Sequence, residues 1–423
     1  MLVTVILAAG KGTRMRSELP KVLHPLLGVP LLEHVLDSTV VLRPRIQVVV
    51  VGYCREAIEK AFPERGIVWA VQDPQLGTGH AAHCGVEAVA REVEREPADV
   101  LIVNGDLPLL RSETLRALLH RHRESTADVT VLTCEKTDPT GYGRIFRTER
   151  GELWDIVEEP DADEATRRVR EINVGTYVFR AQVFRECYSL IEQNNAQGEF
   201  YLTDVVVKAA QGGKKVATYT VADELEIAQV NSRADLARAG EILRQRLMEE
   251  YLGQGVTILD PRTTYIEKGV RIGRDTLILP FTMIERGVEI GPRCEVGPFT
   301  HLRPGTRLAE GTSIGNFVEI KNSSLGRDTK VRHLSYVGDA VIGEDVNIGA
   351  GAIFANFDGK TKNTTVVKDG AFIGSGTVLV APVTVGKGAV TGAGAVVPKN
   401  HDVPDGGVVV GIPARPIDRN KDR

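Results

Sequence analysis

A glycine-rich and basic segment follows the first apolar run of the chain. Val3–Leu7 leads into Ala8-Ala9-Gly10-Lys11-Gly12-Thr13-Arg14, and Lys21 follows Pro20 a few residues later. Glycines let backbone amides approach an anion closely, and lysine and arginine side chains add positive charge. The segment matches neither GxxxxGK[ST] nor GxGxxG, and an ordinary strand-to-helix turn also uses glycines. The residues therefore predict either a phosphate-binding loop or a structural turn.

An aspartate stands at the end of a later apolar run. Val100–Val103 is followed by Asn104-Gly105-Asp106-Leu107-Pro108. A lone aspartate after a strand usually caps a helix or forms a turn. Parallel strands, however, bring their carboxyl ends to one sheet edge, where α/β proteins bind ligands. We therefore predict that Asp106 faces the glycine-rich segment across that edge.

A histidine and a tyrosine interrupt a regular aliphatic pattern in the second half of the chain. They stand in Lys330-Val-Arg-His333-Leu-Ser-Tyr336, and a further break at residues 354–372 predicts a loop thrown out from the repeat. An isolated histidine is more often a surface or core residue than a catalyst. Because histidine titrates near neutral pH, His333 is nevertheless a candidate general base.

The first half of the chain alternates predicted strands with predicted helices. Short β-branched runs predict strands at Val3–Leu7, Ile46–Val51, Val68–Gln72, Val100–Val103 and Val129–Thr133. Amphipathic stretches predict helices at Leu31–Val41, His80–Val93 and Ser112–His122. Buried apolar strands that alternate with helices indicate a mostly parallel sheet.

The second half carries a six-residue repeat. Aliphatic residues recur at intervals of six from Ile266 to Ile320, and the pattern resumes at Leu325 after a one-residue slip. Hexapeptide repeats are typical of a parallel β-helix, with the aliphatic side chain pointing inward. Such a solenoid has no deep pocket of its own, so a purely structural oligomerisation domain remains an alternative. Apolar residues at helical spacing in residues 232–252 predict a helix that joins the halves.

Length, charge and cysteine content exclude several classes of protein. The 423 residues suffice for two or three domains, and the net charge of -4 argues against a nucleic-acid or anionic-membrane binder. No apolar run approaches the ~20 residues needed to span a bilayer. The five cysteines lie far apart and predict neither a disulfide framework nor a zinc site. We expect a soluble, cytoplasmic protein.

Further short segments in a fixed order carry a family resemblance. Besides the two segments around Gly10 and Lys21, they are Gln72–His80, Gly141–Ile145, Ile156–Glu158, Glu171–Gly175, Asn195–Glu199, Val230–Asn231, Leu302–Gly305, Asn316–Lys321, His333–Asp339 and Asn347–Ala350. Together these segments resemble the bifunctional enzymes that join N-acetylglucosamine-1-phosphate uridylyltransferase to glucosamine-1-phosphate N-acetyltransferase. The resemblance covers nearly the whole chain.

The resemblance implies both an architecture and a function. It implies an α/β nucleotidylyltransferase head with a Rossmann-like, mostly parallel sheet (residues 1–233), a linker helix (234–254) and a left-handed parallel β-helix (255–423). The family acetylates glucosamine-1-phosphate with acetyl-CoA and then transfers UMP from UTP, which gives UDP-N-acetylglucosamine for peptidoglycan and lipopolysaccharide precursors. A homotrimer whose subunits share each acetyl site is also implied, with small-molecule substrates and neither nucleic acid nor membrane as partners.

For the uridylyl reaction, the resemblance assigns residues at matching motif positions. It implies that Leu7, Ala8, Ala9, Gly10, Gln72, Gly77 and Thr78 hold the uridine, that Arg14 and Lys21 neutralise phosphate charge, and that Gly143, Glu158 and Asn173 bind the N-acetylglucosamine part. Asn104 and Gly105 belong to the same substrate site, and Asn104 replaces a tyrosine of the family. Asp106 and Asn231 are the implied ligands of Mg²⁺, a hard ion that prefers oxygen.

For the acetyl reaction, the resemblance makes His333 the general base. It implies that Arg303, Lys321 and Lys362 bind the sugar phosphate, that Tyr336, Asn347, Asn356 and Phe357 complete the pocket, and that Ala350, Ser375 and Ala393 line the path of acetyl-CoA.

Two other functions compete with this interpretation. One is a single-activity sugar-1-phosphate nucleotidylyltransferase whose β-helix only oligomerises. The polar break from His333 to Tyr336 and the predicted loop at 354–372 argue against it. The other is a non-catalytic scaffold on the same fold, which would have no need to keep Lys21, Asp106 and Asn231 together.

Overall fold

The computed structural model describes residues 1–416, so residues 417–423 of the predicted β-helix domain lie outside the described part. The chain divides into two compact units between Gly240 and Glu241, within the helix Arg233–Gly253. The domain boundaries at 233 and 254 stay predictions. Within residues 1–416, no helix is both long and apolar enough to cross a membrane.

A mostly parallel sheet forms the centre of the first unit. In chain order its strands and those of one small hairpin are β1 (Leu2–Leu7), β2 (Pro25–Leu26), β3 (Val29–Pro30), β4 (Ile46–Val51), β5 (Val68–Val71), β6 (Asp99–Asn104), β7 (Val129–Glu135), β8 (Gly143–Arg147), β9 (Leu153–Val157), β10 (Glu171–Arg180) and β11 (Val216–Val221). The main sheet has the order β11-β7-β10-β6-β1-β4-β5, and β10 runs antiparallel to both of its neighbours. The α/β fold with a mostly parallel sheet that was predicted for this part of the chain is confirmed.

The central strands bring the two predicted motifs to one edge. β1 pairs in parallel with β6, and Leu7 lies opposite Asn104 in that register. The backbone N–H of Gly105 then donates to the carbonyl oxygen of Leu7 at 2.9 Å. Both strands are almost completely buried, as near-continuous apolar runs require when helices cover both faces of a sheet. The glycine-rich segment and Asp106 therefore begin side by side.

Helices connect the strands of the first unit. They are α1 (Leu31–Val40), α2 (Arg55–Ala61), α3 (Thr78–Glu87), α4 (Ala90–Arg95), α5 (Ser112–Glu124), α6 (Glu164–Arg167), α7 (Ala181–Tyr188), α8 (Leu202–Gln211) and α9 (Arg233–Gly253), of which α9 crosses the division. The single helix predicted at His80–Val93 is wrong, because α3 and α4 are separated at Val89, whose φ of -125° and ψ of 26° are not helical. The periodic apolar pattern continues across this break, so it could not reveal it.

The second unit is a parallel β-helix with three faces, as the repeat predicted. The first face comprises β12 (Thr257–Ile258), β15 (Leu277–Ile278), β18 (Glu295–Val296), β21 (Ser313–Asn316), β24 (Lys330–His333), β27 (Asn347–Ile348), β30 (Phe372–Ile373), β33 (Val390–Thr391), β35 (Val408–Val410) and β36 (Arg415–Pro416). The second comprises β13 (Tyr265–Ile266), β16 (Met283–Ile284), β19 (His301–Leu302), β22 (Glu319–Lys321), β25 (Tyr336–Gly338), β28 (Ile353–Ala355), β31 (Val378–Val380) and β34 (Val396–Val397). The third comprises β14 (Arg271–Ile272), β17 (Glu289–Ile290), β20 (Arg307–Leu308), β23 (Ser324–Leu325), β26 (Ala340–Ile342), β29 (Thr365–Val367) and β32 (Val383–Val385).

The repeated aliphatic residues form the core of this unit. Ile266, Ile284, Leu302 and Ile320, which stand on successive strands of the second face, are fully buried. The predicted loop at 354–372 is shorter than expected, because β28 extends to Ala355 and β29 resumes at Thr365. Only residues 356–364 leave the regular coil.

Candidate active sites

A cavity of about 450 Å³ opens at the carboxyl edge of the sheet in the first unit. Most of the residues predicted for the uridylyl site line it, namely Leu7, Ala8, Ala9, Gly10, Lys21, Gln72, Gly77, Thr78, Asn104, Asp106, Gly143, Glu158 and Asn173. These residues come from distant parts of the chain. The fold therefore brings the predicted uridylyl segments into a single site.

Arg14, Gly105 and Asn231 do not line this cavity. Arg14 is exposed in the short turn Thr13–Met15 that follows the glycine-rich segment. Gly105 lies behind the lining, where a Cβ atom would stand only 3.0 Å from the carbonyl oxygen of Leu7. Asn231 is connected to the cavity through Lys21. The predicted role of Gly105 is thus limited to its backbone.

Lys21 links the two predicted metal ligands. Its Nζ donates to Asp106 Oδ2 at 2.6 Å and to Asn231 Oδ1 at 3.0 Å. The short turn Lys21–Leu23 begins after Pro20 and directs this lysine back to the sheet edge. The side chains of Lys21 and Asp106 are only 14% and 15% exposed. The ion pair is therefore screened from solvent far better than one on the surface.

The oxygens around Lys21 fit a hard divalent cation. Asp106 Oδ1 is buried and has no hydrogen-bond partner, although its partner oxygen receives the lysine. A carboxylate and an amide oxygen are the ligand types that Mg²⁺ uses together with substrate phosphates and water. Within residues 1–416 no group of three or more His, Cys, Asp and Glu side chains could hold a metal by itself. A metal here would need the phosphates of a substrate to complete its coordination.

Glycine is required at one end of the cavity by a close backbone approach. Gly77 has a left-handed φ of +108°, and a Cβ atom there would lie 2.7 Å from the carbonyl oxygen of Phe200. The next residue, Thr78, begins α3, and its hydroxyl accepts a hydrogen bond from the backbone N–H of Leu202. This part of the wall is consequently backbone, held against the start of α8.

The half-buried carboxylate of Glu158 forms another part of the wall. Glu158 accepts a hydrogen bond from the Thr203 hydroxyl at 3.1 Å and faces Gly143, where a Cβ atom would be 3.2 Å from Oε2. Burial raises the pKa of Glu158, and the hydrogen bond from Thr203 opposes that shift. Asn173 donates to the Tyr177 hydroxyl at 2.7 Å. This wall offers hydrogen-bonding groups to a polar ligand such as a sugar.

Several lining residues were missed by the sequence analysis. Gly141, Gly175 and Glu199 line the cavity and stood inside the quoted motif segments, so their motifs could have indicated them. Gln75 lies in such a segment too, and its side-chain amide donates to the carbonyl oxygen of Ala9 at 2.7 Å. Tyr142, Tyr177, Leu202, Thr203 and Gln229 also line the cavity. Leu202 and Thr203 belong to α8 and carry no sequence signal that separates them from packing residues.

In the second unit, three predicted cationic residues come together on the second face of the β-helix. Arg303 follows β19, Lys321 ends β22, and Lys362 lies in the excursion at 356–364. Lys362 beside it, and Arg303 to a smaller extent, lower the pKa of the Lys321 amine. Arg303 also pairs with Glu319 at 2.8 Å, while its buried Nε has no partner. Crowded cations of this kind are suited to binding an anion such as phosphate.

A buried aspartate holds the start of the excursion. Asp339 accepts hydrogen bonds from Asn322 at 2.6 Å and from the Asn356 side chain, which also lies 3.5 Å from the Tyr336 hydroxyl. Two predicted pocket residues, Tyr336 and Asn356, are thereby neighbours. Phe357 next to them is exposed and bridges to Lys362 across the excursion.

His333 lies on the first face of the β-helix, at the corner that leads to Tyr336 on the second face. It ends β24, whereas Tyr336 begins β25 on the next face. The exposed His333 ring places Nδ1 at 2.9 Å from Asn316 Oδ1. If Nδ1 donates to that oxygen, Nε2 carries the lone pair and can accept a proton. The predicted Asn347 lies on the strand next to β24.

The histidine and the residues predicted for acetyl-CoA form one column. The carbonyl oxygens of His333, Ala350 and Ser375 accept hydrogen bonds from the backbone N–H groups of Gly351, Gly376 and Gly394, respectively. The three donors Gly351, Gly376 and Gly394 directly follow Ala350, Ser375 and Ala393 in the chain. The four residues His333, Ala350, Ser375 and Ala393 therefore stand on four successive coils. The members beyond His333 have small side chains, and Ser375 and Ala393 are exposed.

Comparisons with known proteins agree with both units. The MobA-like NTP transferase domain matches residues 4–196, and the bacterial transferase hexapeptide family (six repeats) matches residues 269–304 and 364–399. The bifunctional protein GlmU of Heliobacterium modesticaldum is 46% identical over 439 residues, which cover 96% of this chain and 94% of the relative. The bifunctional protein GlmU of Carboxydothermus hydrogenoformans is 44% identical over 434 residues and 95% of each chain.

Proposed function

The chain belongs to the family of the bifunctional protein GlmU, and from this premise we propose which residues carry each of its two reactions. The enzyme acetylates glucosamine-1-phosphate with acetyl-CoA and then uridylylates the product with UTP, which yields UDP-N-acetylglucosamine and pyrophosphate. The single observation that carries the uridylyl assignment is the cavity lined by Lys21 and Asp106, where Lys21 donates to Asp106 and also to Asn231 behind the lining. We assign UDP-N-acetylglucosamine synthesis to that cavity.

Uridylyl transfer needs positioning and charge neutralisation. A phosphate oxygen of N-acetylglucosamine-1-phosphate attacks the α-phosphorus of UTP, the new P–O bond forms, and the bond to the leaving pyrophosphate breaks. Lys21 and Arg14 neutralise phosphate charge, and the backbone around Gly10 approaches the triphosphate. Gln72, Gly77 and Thr78 hold the base end, whereas Glu158 and Asn173 hold the sugar.

The family's uridylyl reaction uses a divalent metal, and we propose Mg²⁺ with Asp106 and Asn231 as its protein ligands. When bound, the ion neutralises the negative charge that the transferring phosphate and the leaving pyrophosphate share. Support comes from the partnerless Asp106 Oδ1 and from the two oxygens already directed at a cation, the Lys21 ammonium. If these oxygens held the ion, the Lys21 ammonium would be free to contact a substrate phosphate.

For acetyl transfer, we propose His333 as the general base. Its Nε2 takes a proton from the amine of glucosamine-1-phosphate, the nitrogen attacks the thioester carbon, the N–C bond forms, and the C–S bond breaks to release CoA, which receives a proton. Asn316 supports the required tautomer by accepting from Nδ1. Arg303, Lys321 and Lys362 bind the phosphate, with Tyr336, Asn347, Asn356 and Phe357 around the sugar. The column of Ala350, Ser375 and Ala393 accommodates acetyl-CoA.

We further propose that three copies of the chain assemble through the β-helix. Phe281, Phe299 and Phe317 stack on successive coils with ring centroids 4.8 and 5.2 Å apart, yet they are 54%, 47% and 55% exposed. A continuous exposed aromatic ladder of this kind marks an interaction surface. Among residues 1–416, no hydrogen bond or ion pair connects His333 with the cluster of Arg303, Lys321 and Lys362. This supports an acetyl site completed by a neighbouring copy.

Light scattering tests the trimer directly. Phe299 has a left-handed φ of +53°, a conformation that aspartate tolerates well. Phe299→Asp should therefore keep the coil but give the mass of one chain instead of three. Acetyl transfer should fall with it, whereas uridylyl transfer should persist. A wild-type protein with the mass of one chain would refute the trimer.

One incubation tests the two reactions. The purified protein is mixed with glucosamine-1-phosphate, acetyl-CoA, UTP and Mg²⁺, and free CoA and pyrophosphate are followed separately. We expect both products, with pyrophosphate appearing only after CoA unless N-acetylglucosamine-1-phosphate is supplied. Release of pyrophosphate without CoA would favour the single-activity enzyme, and release of neither would favour a scaffold. A cytoplasmic location is proposed because UTP and acetyl-CoA are the substrates.

A further inference from the structure

A histidine outside the cavity lining contacts a residue that lines it. Gln72 is 4% exposed, and its side-chain Nε2 lies 2.8 Å from the carbonyl oxygen of Gly77 and 3.3 Å from Nδ1 of His80. Gln72 follows β5 and His80 lies in the first turn of α3, so the loop between them folds back on itself. His80 itself has no place among the residues predicted to bind substrate.

The partners of Gln72 determine which way its amide faces. A backbone carbonyl can only accept a hydrogen bond, so the atom next to Gly77 must be the nitrogen. A side-chain amide nitrogen has two hydrogens, and Gly77 and His80 together take both. The carbonyl oxygen Oε1 then has no protein partner among residues 1–416. Because Gln72 lines the cavity, this oxygen is an acceptor available to a ligand.

The same contacts determine the tautomer of His80. Its Nδ1 must accept from Gln72, so the ring proton resides on Nε2. That nitrogen lies 3.6 Å from Sγ of Cys84, one helical turn further along α3, and the sulfur accepts weakly. The imidazolium form carries a proton on both nitrogens and would oppose the Gln72 amide. The two hydrogen bonds of the ring, from Gln72 Nε2 to Nδ1 and from Nε2 to Cys84 Sγ, therefore require the neutral form of His80.

We propose that His80 is a positioning residue that holds the Gln72 amide with its oxygen toward the base of the nucleotide. This inference rests on the proposed placement of uridine against Gln72. An acceptor fixed in this way favours a base that presents an N–H group, as the imide of uracil does, and disfavours cytosine, whose corresponding ring nitrogen is itself an acceptor. His80 thereby contributes to the choice of UTP over CTP without touching either nucleotide.

The test compares nucleotides across a small set of variants in the full-length protein. His80→Phe keeps a ring of similar shape but removes the acceptor, and His80→Asn keeps an acceptor near the position of Nδ1. His83→Phe is the matched control, because His83 lies on the same helix and stacks on Tyr188 with ring centroids 4.1 Å apart, whereas the Gln72 amide is bonded to Gly77 and His80. Pyrophosphate release with N-acetylglucosamine-1-phosphate is measured with UTP and with CTP, and CoA release reports on folding.

The variants should separate positioning from general damage. In His80→Phe, the ratio of kcat/KM for UTP to that for CTP should fall about 3- to 10-fold, the range expected for one hydrogen bond. KM for UTP should rise while kcat changes little. His80→Asn and His83→Phe should keep the wild-type ratio. If His80→Phe does not fold, His80→Gln replaces it. The glutamine side-chain oxygen extends toward the position of Nε2 rather than Nδ1, so this variant should also lose the preference for UTP over CTP.

Two results would overturn the inference, and they differ from a failure of the proposed function. An unchanged ratio in His80→Phe, or in His80→Gln where that variant replaces it, would remove His80 from base selection. An equal loss in His83→Phe would assign the effect to packing of α3. By contrast, a wild-type protein that releases no pyrophosphate from UTP would refute the uridylyl assignment itself, whatever the variants do.

Discussion

Replacement of Asp106 by asparagine removes one negative charge from the uridylyl cavity with almost no change in size. The carboxylate accepts from Lys21 Nζ at 2.6 Å through Oδ2, whereas its Oδ1 is buried without a partner. Asparagine can still offer one oxygen to the lysine. The variant therefore isolates the charge from the shape of the side chain.

The structure gives a magnitude for the loss of stability. At 2.6 Å and an effective dielectric constant of about 20, two unit charges attract by about 6 kcal/mol before desolvation is subtracted. Removal of one partner from a buried pair typically costs about 3–5 kcal/mol. Asn231 Oδ1 still accepts from Lys21 at 3.0 Å, and both side chains of the pair retain some exposure, so we expect about 2–3 kcal/mol.

The loss of activity should be larger and confined to one reaction. A metal that loses its anionic protein ligand stabilises the transition state less, and loss of one such electrostatic group costs about 10²–10³-fold in rate. Asp106→Asn should lose uridylyl transfer by that factor and need more Mg²⁺ for half-maximal rate. Acetyl transfer, measured as CoA release from the same sample, should stay within about twofold of wild type because Asp106 lies in the other unit.

Asp99 provides a matched control at the opposite end of β6. It pairs with Arg123 at 3.1 Å and its side chain is 24% exposed, but it does not line the cavity. Asp99→Asn should lower the stability of the first unit, seen by calorimetry, without changing either reaction rate. If Asp106→Asn retains uridylyl transfer within threefold of wild type, or loses both reactions equally, the assignment of Asp106 is wrong.

Three further predictions concern separate parts of the chain. A fragment of residues 1–252 should release pyrophosphate from UTP but no CoA, and a fragment that folds by circular dichroism yet is inactive with UTP would contradict the assignment of the head. His333→Ala should lose acetyl transfer by about 10²–10⁴-fold, with partial recovery at high pH and uridylyl transfer intact, whereas an unchanged turnover number at saturating substrates would remove His333 from the mechanism. Burial, and then the charge of Asp161, raises the pKa of Asp204 from 3.8 to about 6, so its ionisation opposes folding fully above the folded pKa and not at all well below 3.8, where the folded and unfolded states are both protonated. Asp204→Asn should therefore gain about 1 kcal/mol at pH 7.5, after discounting for partial exposure, and almost nothing at about pH 3, and equal gains in thermal melts at both pH values would contradict this cause.

The sequence predicted which segments meet at the cavity better than it predicted the contacts between them. Because Leu7 and Asn104 end apolar runs, the rule for parallel sheets was enough to bring their loops to one edge. The contact of Lys21 with Asn231 joins residues 210 positions apart, and no local pattern specifies such a pair. Likewise, the choice between a phosphate loop and a plain turn around Gly10 depends on what the rest of the fold places opposite it.

In the β-helix, the repeat predicted the faces but not the corner at which the proposed acetyl-CoA residues align. Residues aligned on successive coils are spaced unequally along the chain, because the excursion at 356–364 lengthens one coil and single-residue slips shorten others. The column of His333, Ala350, Ser375 and Ala393 is therefore not periodic in sequence. It becomes visible only through the backbone hydrogen bonds between coils.

A departure from a family motif can be judged only together with the residue that it contacts. Asn104 stands where the family resemblance leads us to expect a tyrosine, and it lies against Gly175, where a Cβ atom would be 2.5 Å from its Nδ2. Gly175 has a left-handed φ of +80°, so this position favours glycine for its backbone as well as for the space. The absence of a Cβ atom at Gly175 leaves room for the Asn104 side chain. The contacts that hold Asp106, two residues further on, run through Lys21 and through the backbone of Gly105, and neither depends on the side chain of Asn104. The exchange therefore changes the surface that the cavity offers to a ligand, while the ion pair of Asp106 with Lys21 does not depend on it.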